Sequence, residues 1–278
     1  MRGIVCETKV TVEHATGRLE RTSVVLAFIL LLLLVIFLWP EKLSGQTNCD
    51  EGNGPLDSTQ PKGLSVEQLI EKFGTAEAAA KQARSHYTFK QDVLMQTLSG
   101  DSVTGEFHEV TMVSYDANGR RQEQVTYAAQ PSLRGLQLTS ADMEDIRTFM
   151  PLMLTREDIG QYNLSYDGQQ HVDDLDTYLF QVSPKKIEKD RRYFQGRIWV
   201  DNQDFQIVKV CGKSGPEKTR VTKREHADLQ PVFVTYRQLV DGNWLPVYTR
   251  SDDTLQFPRG SQRLRQIVKY SDYKRTGQ

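Results

Sequence analysis

The residues of this chain that could do chemistry are few and scattered. Asp252 and Asp253 lie side by side near the end of a predicted strand, where two carboxylates could share general acid and general base work. Asp173, Asp174 and Asp176 form an acidic run that could bind a cation. A strand end and a solvated turn are the simpler interpretations, and we expect these to hold.

The other parts of familiar catalytic sites are missing from the sequence. The five histidines are far apart, and the chain contains no HExxH, GxSxG, Walker A or GxGxxG motif. Spacings typical of metal ligands are also absent. We therefore expect a protein that is not an enzyme and that uses no metal and no cofactor.

The charge balance argues against nucleic acid as a partner. The chain has 278 residues, with 35 Lys and Arg against 36 Asp and Glu. Binding to a phosphate backbone needs a strong basic excess on one face, which this balance does not predict. Residues 185–192 form a basic stretch that could face anionic lipid head groups or a partner. A charged loop between strands is the simpler interpretation.

The N-terminal part of the chain predicts export. Residues 23–40 carry no charge and are long enough to cross a bilayer as a helix. Arg18 and Arg21 precede them, so the positive-inside bias predicts a cytoplasmic N-terminal segment over 1–22. The apolar segment is either a retained transmembrane helix or the h-region of a cleaved signal, and both remain open. Residues 41–63, rich in turn-forming residues, predict a polar flexible linker.

Residues 64–275 predict one β domain. Apolar and polar residues alternate over many short runs, which indicates an antiparallel sheet of about ten strands. A capping box formed by Ser65 and Gln68 predicts a helix over residues 65–85. Residues 131–161 break the β pattern and predict a helical insertion that covers the mouth of a curved sheet.

The clearest strand pair is a hairpin over residues 193–210. On its first strand, Phe194, Ile198 and Val200 share one parity, whereas Arg197 and Trp199 share the other. Alternation defines these two sets but does not say which one points inward. We expect the set containing Trp199 to line a hollow and the set containing Phe194 to pack outward.

Two cysteines, Cys49 and Cys211, lie on the exported side of the apolar segment. An oxidising compartment permits a disulfide between them. A cysteine in a linker would have to reach the end of a strand, so we expect both to be unpaired.

The order of these elements resembles a known family. The hairpin region Arg191–Asp201 reads RRYFQGRIWVD, Thr249–Thr254 reads TRSDDT, and Tyr270–Lys274 reads YSDYK. In these features the chain resembles the outer-membrane lipoprotein-sorting proteins, the superfamily of LolA, LolB and the RseB N-terminal domain. Within that superfamily it is most similar to the acidobacterial set. The resemblance covers about Leu64 to Lys274.

The resemblance implies a mainly β (α+β) fold, an unclosed β-barrel with helices over its cavity. It also implies a cell-envelope protein with a periplasmic domain that binds lipid or the acyl chains of lipoproteins, as a sorting carrier or acceptor. A retained N-terminal helix would hold it at the inner membrane. The alternative is a membrane-tethered interaction or envelope-sensor module with an envelope protein as its partner.

Alternation along the strands predicts which residues would line such a cavity. Nine aromatic, apolar or basic side chains at alternating strand positions are the ligand-cavity candidates: Phe89, Val93, Met95, Arg197, Trp199, Tyr236, Tyr248, Leu264 and Tyr270.

Overall fold

A computed structural model describes residues 46–188, 191–215, 229–257 and 260–276. These residues belong to one compact unit, Gly45–Gln278. The predicted cytoplasmic segment and the apolar segment that follows it lie outside the described residues. Within the described ranges, none of the helices combines the length and the apolar character needed to span a bilayer.

Eleven strands form a single antiparallel sheet. The strands are β1 (Asn53–Asp57), β2 (Tyr87–Ser99), β3 (Ser102–Tyr115), β4 (Arg121–Ala128), β5 (Tyr162–Val172), β6 (Leu175–Pro184), β7 (Tyr193–Asp201), β8 (Ile207–Gly215), β9 (Phe233–Val240), β10 (Asn243–Phe257) and β11 (Gly260–Arg275). Their order in the sheet is β1-β5-β6-β7-β8-β9-β10-β11-β2-β3-β4. Among the described residues, β1 and β4 are the edges and do not pair with each other. The mainly β, antiparallel and unclosed character predicted from the sequence is confirmed.

One turn predicted from sequence is a β-bulge instead. The turn-forming pair Asp167 and Gly168 predicts a break between two short strands, but the register with β6 merely shifts between Tyr166 and Gly168, and β5 continues. Gly168 has a φ of 148°, and a Cβ there would lie 2.3 Å from the carbonyl oxygen of Asp57 on β1. Glycine is therefore required for β1 to approach β5, which the local turn signal does not reveal.

In the described part of the chain, three helices accompany the sheet: α1 (Val66–Arg84), α2 (Ser140–Thr148) and α3 (Arg156–Ile159). The predicted capping box of α1 is confirmed, because Gln68 N–H donates to Ser65 Oγ at 3.2 Å and Ser65 N–H donates to Gln68 Oε1 at 2.9 Å. Thr139 caps α2 in the same way. Both α2 and α3 lie in the insertion between β4 and β5, where helical cover was predicted.

Candidate functional site

One face of the sheet, which we call the helix-covered face, carries a continuous apolar cluster. Of its 25 buried residues, the helices supply Leu69, Phe73 and Ile146, and the strands supply most of the others. The cover provided by the helices is therefore thin compared with the apolar surface of the sheet beneath it.

A buried ion pair holds α1 on this face. The side chains of Glu77 on α1 and Arg237 on β9 are both 0% exposed, and N···O contacts of 2.9 and 3.1 Å join them. Glu77 Oε1 also accepts a hydrogen bond from the N–H of Ile207 at 2.9 Å, and Arg237 donates to the carbonyl of Leu152. Because both charges are out of water, each depends on the other for compensation.

The segment after α2 is held through three successive carbonyl groups. The carbonyl of Met150 accepts from Thr235 Oγ1 at 2.7 Å, and that of Pro151 accepts from the guanidinium of Arg84 at 3.4 Å. The carbonyl of Leu152 accepts from Arg237. This part of the cover is thus attached to the sheet and to α1 by polar contacts as well as by the buried side chains of Met150, Leu152 and Leu154.

Acidic side chains fix α2 itself. Asp145 accepts hydrogen bonds from Ser214 Oγ and from Arg192, and Asp142 Oδ1 accepts from the N–H of Leu229 at 2.7 Å. Burial raises the pKa of Asp145 to about 6, although its bonds to Ser214 and Arg192 act in the opposite direction. Among the described residues, Asp145 Oδ1 is buried without a hydrogen-bond partner. The attachment of α2 therefore changes charge in mildly acidic solution.

Little free space remains between α2 and the sheet. A cavity of about 10 Å³, room for roughly one water molecule, lies there. It is lined by Met95, Asp142, Asp145, Met150, Ser214, Leu229, Pro231, Phe233 and Gln266. Among the residues that the structure describes, a ligand larger than water could enter at this point only if part of the cover moved.

The opposite face of the sheet, which we call the outer face, carries a smaller apolar cluster around Trp199. Lys209 lies there with 1% of its surface exposed. Its Nζ is 4.8 Å from the ring centre of Trp199 and 5.4 Å from that of Tyr236. Burial lowers the pKa of Lys209 to about 8, against the attraction of nearby carboxylates that include Asp173 and Asp50. The two ring faces stabilise the ammonium group, which also needs hydrogen-bond acceptors.

Those acceptors come from residues 47–53, which we call the strap. Lys209 Nζ donates to the carbonyl of Glu51 and to Asn53 Oδ1, both at 2.7 Å. Beyond Asn53 the strap continues into β1, which pairs with β5. The strap therefore lies against the outer face and completes the coordination of its buried cation.

A disulfide between Cys49 and Cys211 joins the strap to β8, with the Cα atoms 5.6 Å apart. The prediction that these cysteines are unpaired is wrong. Residues 47–57, which are part of the segment 41–63 predicted as a flexible linker, are bonded to the sheet and include an edge strand. The two cysteines are 162 residues apart in sequence, and only the order of the strands places them side by side.

The structure divides the nine ligand-cavity candidates between the two faces. Five belong to the apolar cluster of the helix-covered face: Phe89, Val93, Met95, Leu264 and Tyr270. The other four lie on the outer face: Arg197, Trp199, Tyr236 and Tyr248.

The inward and outward sets of the hairpin are the reverse of the expectation. Phe194, Ile198 and Val200 belong to the cluster under the helices, whereas Trp199 belongs to the outer cluster. Alternation along a strand is the same for both orientations, so the position of α1 decides between them.

Among the described residues, the burial of six charged side chains was not predicted: Glu77, Asp142, Asp145, Asp201, Lys209 and Arg237. Two of them left a signal in the sequence. Glu77 interrupts the alanine-rich side of α1, and Lys209 interrupts the apolar run from Ile207 to Cys211. A charge inside such a run indicates either an exposed position or a buried partner, and the sequence does not name the partner.

The carboxylates considered for acid–base work make structural contacts. Asp252 forms ion pairs with Arg263 at 2.9 Å and Arg265 at 3.2 Å. Asp253 accepts a hydrogen bond from the N–H of Val232 at 3.0 Å. Adjacent residues of a strand point to opposite faces, so these two carboxylates do not share a site. In the part of the chain that the structure describes, no group of three or more His, Cys, Asp or Glu side chains could hold a metal ion.

No protein-family model matches the chain, and no curated protein matches it. The chain is similar to several solved structures at low identity. A DUF1329 family protein from Desulfovibrio piger ATCC 29098 is 16% identical with a TM-score of 0.40, and the match covers 78% of this chain and 94% of that chain.

Two further solved structures extend the comparison. A LolA superfamily protein from Nitrosomonas europaea is 15% identical with a TM-score of 0.34, and the match covers 73% of this chain and 94% of that one. MucB is 10% identical with a TM-score of 0.24, and the match covers 70% and 92% of the two chains. No residue role passes to this chain at such identities. The similar structures include a member of the superfamily that the sequence resembles.

Proposed function

We propose that this chain is an exported cell-envelope protein that binds lipid or the acyl chains of lipoproteins between the sheet and its helices. In this proposal it acts as a carrier or acceptor in lipoprotein sorting, and residues 64–275 form the binding domain. The observation that carries the proposal is the helix-covered face, where a continuous apolar sheet surface lies under a cover attached by polar contacts as well as by buried apolar side chains.

The energetics favour exchange of part of this cover for an acyl chain. Ile146 is the buried apolar residue that α2 contributes to the cluster, and burial of such a side chain stabilises by about 2–3 kcal/mol. Each buried CH₂ of an acyl chain contributes about 0.8 kcal/mol. About three or four methylene groups therefore offset the exposure of Ile146 to water, and longer chains give a surplus. The adaptable side chains of Met95 and Met150 lie at the same place.

The disulfide supports the location that we propose. Disulfides persist in oxidising compartments such as the bacterial periplasm and are rare in the cytosol. Cys49 and Cys211 are paired, which agrees with export of the residues after the apolar segment. If that segment is retained, the protein is anchored in the inner membrane. If it is cleaved, the protein is free to move between membranes.

Binding of a fluorescent fatty-acid probe to delipidated protein tests the proposal. The informative variant is Met95→Ala, because Met95 lines the cavity under α2 and its side chain is 2% exposed. Removing its side chain enlarges the cavity, so we expect tighter probe binding together with about 2–4 kcal/mol of lost stability. Near-UV circular dichroism must show that the variant is folded, because partly unfolded proteins also bind apolar probes.

Leu94→Ala is the matched control. Leu94 immediately precedes Met95 on β2, so its side chain points to the opposite face of the sheet. We expect its probe affinity to equal that of the wild type. Absence of probe binding in folded protein would overturn the proposal, and so would an equal change in both variants.

One observation favours the alternative, a protein-interaction or sensor module. The edge strand β4 exposes Val125 and Tyr127 by 53% and 50%, and one side of β4 has no neighbouring strand among the described residues. Exposed edges accept an extra strand from a partner. Native mass spectrometry of the purified protein separates the two functions. Co-purified lipid supports the carrier, whereas a stoichiometric protein without lipid supports the module.

A further inference from the structure

We propose that the outer face carries a second binding site, which recognises an acidic peptide with two adjacent carboxylates in a turn, and that the strap occupies this site in the oxidised protein. The site consists of three cations and two aromatic rings: Arg197, Lys209, Arg250, Trp199 and Tyr236. It lies on the face opposite the proposed lipid site and is independent of it.

The charges of the strap complement those of the outer face. Asp50 forms an ion pair with Arg197 at 2.8 Å, and the neighbouring Glu51 forms one with Arg250. The guanidinium of Arg197 also lies over the Trp199 ring, 5.1 Å from its centre. Two consecutive carboxylates thus meet two arginines on different strands, and this fixes where along the face the peptide lies.

Main-chain contacts add recognition of the strap backbone, which turns where the N–H of Asn53 donates to the carbonyl of Asp50 at 3.1 Å. The N–H of Thr47 donates to the carbonyl of Asp252 at 2.7 Å, and the N–H of Asp252 donates to Thr47 Oγ1 at 2.8 Å. Lys209 donates to the carbonyl of Glu51. Peptide-binding surfaces commonly combine main-chain hydrogen bonds, which give affinity, with side-chain contacts, which give specificity.

The strap has the character of a ligand because it contributes almost no apolar packing. Its residues other than Cys49 are polar, charged or glycine, and Cys49 is its member that packs against the outer apolar cluster. Exposed ion pairs such as those of Asp50 and Glu51 contribute about 1 kcal/mol or less each. The disulfide therefore keeps the strap in place, and without it the strap is exchangeable.

Removal of the strap leaves a site that needs a new acceptor. Lys209 is 1% exposed and donates to two strap oxygen atoms. A buried ammonium group without acceptors is costly. An incoming peptide with adjacent carboxylates in a turn restores the contacts that the strap provided, which is why we assign this chemistry to the partner.

Opening of the site is a thiol–disulfide exchange with a dithiol reductant. One thiolate of the reductant attacks a sulfur of the Cys49–Cys211 bond and forms a mixed disulfide, and its second thiol then releases the protein. Two electrons and two protons pass to the cysteine sulfurs, which become thiols. The dithiol becomes a disulfide.

Fluorescence anisotropy with a labelled peptide, TNSDEGN, tests the proposal on the full chain. The peptide copies residues 47–53 with serine in place of cysteine, so it cannot form a disulfide. The open protein carries Asp50→Lys and Glu51→Lys and is kept in dithiothreitol, so that its own strap is repelled by the arginines. We expect the open protein to bind the peptide at least about tenfold more tightly than oxidised wild type, whose tethered strap competes at high effective concentration.

Matched controls separate recognition from general charge attraction. Arg197→Glu in the open protein should abolish binding, whereas Lys269→Glu, an exposed position on β11, should leave it unchanged. The uncharged peptide TNSNQGN should bind at least about tenfold more weakly, because it lacks both charge-assisted contacts. Equal binding of the two peptides would overturn the proposal, as would a folded open protein that does not bind TNSDEGN.

Reduced wild-type protein provides the second measurement if the open variant does not fold. Peptide at millimolar concentration should then bind on reduction and dissociate on reoxidation. No difference between the oxidised and reduced forms would overturn the proposal.

Discussion

The buried pair of Glu77 and Arg237 makes the sharpest stability prediction. Glu77→Leu removes the carboxylate but preserves most of the apolar volume of the side chain. Arg237 then stays buried with a full charge and without its carboxylate, and breaking a buried pair in this way costs about 3–5 kcal/mol. The N–H of Ile207 also loses its acceptor, which adds about 1–3 kcal/mol.

The double variant Glu77→Leu with Arg237→Met gives the discriminating comparison. It removes both charges and leaves two neutral backbone groups unpaired, the N–H of Ile207 and the carbonyl of Leu152. At about 1–3 kcal/mol each, the expected loss is about 2–6 kcal/mol. The double variant should therefore be no less stable than Glu77→Leu alone, although it carries one more substitution.

Equilibrium unfolding in urea, followed by tryptophan fluorescence, measures these free energies under oxidising conditions. Each single variant should lose several kcal/mol, and their losses should not add in the double variant. Independent substitutions add to within about 0.5 kcal/mol. Additive losses, or a loss below about 1 kcal/mol for Glu77→Leu, would refute the argument that this pair holds α1 on the sheet.

Three further outcomes are expected. Cys49→Ser should lower the free energy of unfolding by up to about 5 kcal/mol, because its bond to Cys211 closes a long loop, and reduced wild type should match it in urea unfolding. The pKa of Asp145 is about 6 in the folded protein and about 4 in the unfolded chain. Its contribution to the free energy of unfolding is therefore complete below pH 4 and is lost as the pH rises to about 6. The unfolding free energy of wild type relative to Asp145→Asn should therefore fall between pH 4 and 6, and a constant difference would contradict this. Gly196→Ala should lower the melting temperature, since its Cβ would lie 2.3 Å from a neighbouring carbonyl at a φ of 156°, whereas Gly160→Ala should not.

Local features of the fold were predictable from the sequence. The capping box at Ser65 depends on residues three positions apart, and this helix start is confirmed. The hairpin over residues 193–210 and the antiparallel character of the sheet follow from alternation and turn residues within short windows. These features are readable because the interacting groups are neighbours in the chain.

The candidate sites were only partly predictable. Five cavity candidates, including Phe89 and Tyr270, lie together on the helix-covered face because they sit at alternating positions of adjacent strands. Parity did not reveal that Trp199 lies on the other face. Both orientations of a strand satisfy the same alternation, and the side on which the helices pack is a property of the whole sheet.

By itself, the sequence determined a mainly β, antiparallel domain and the start of α1. The tertiary structure alone decided the Cys49–Cys211 bond, the ion pair of Glu77 with Arg237, and the strap over Lys209. Each of these joins groups more than one hundred residues apart in sequence. Their encounter depends on the order of the strands in the sheet, and no local pattern carries that information.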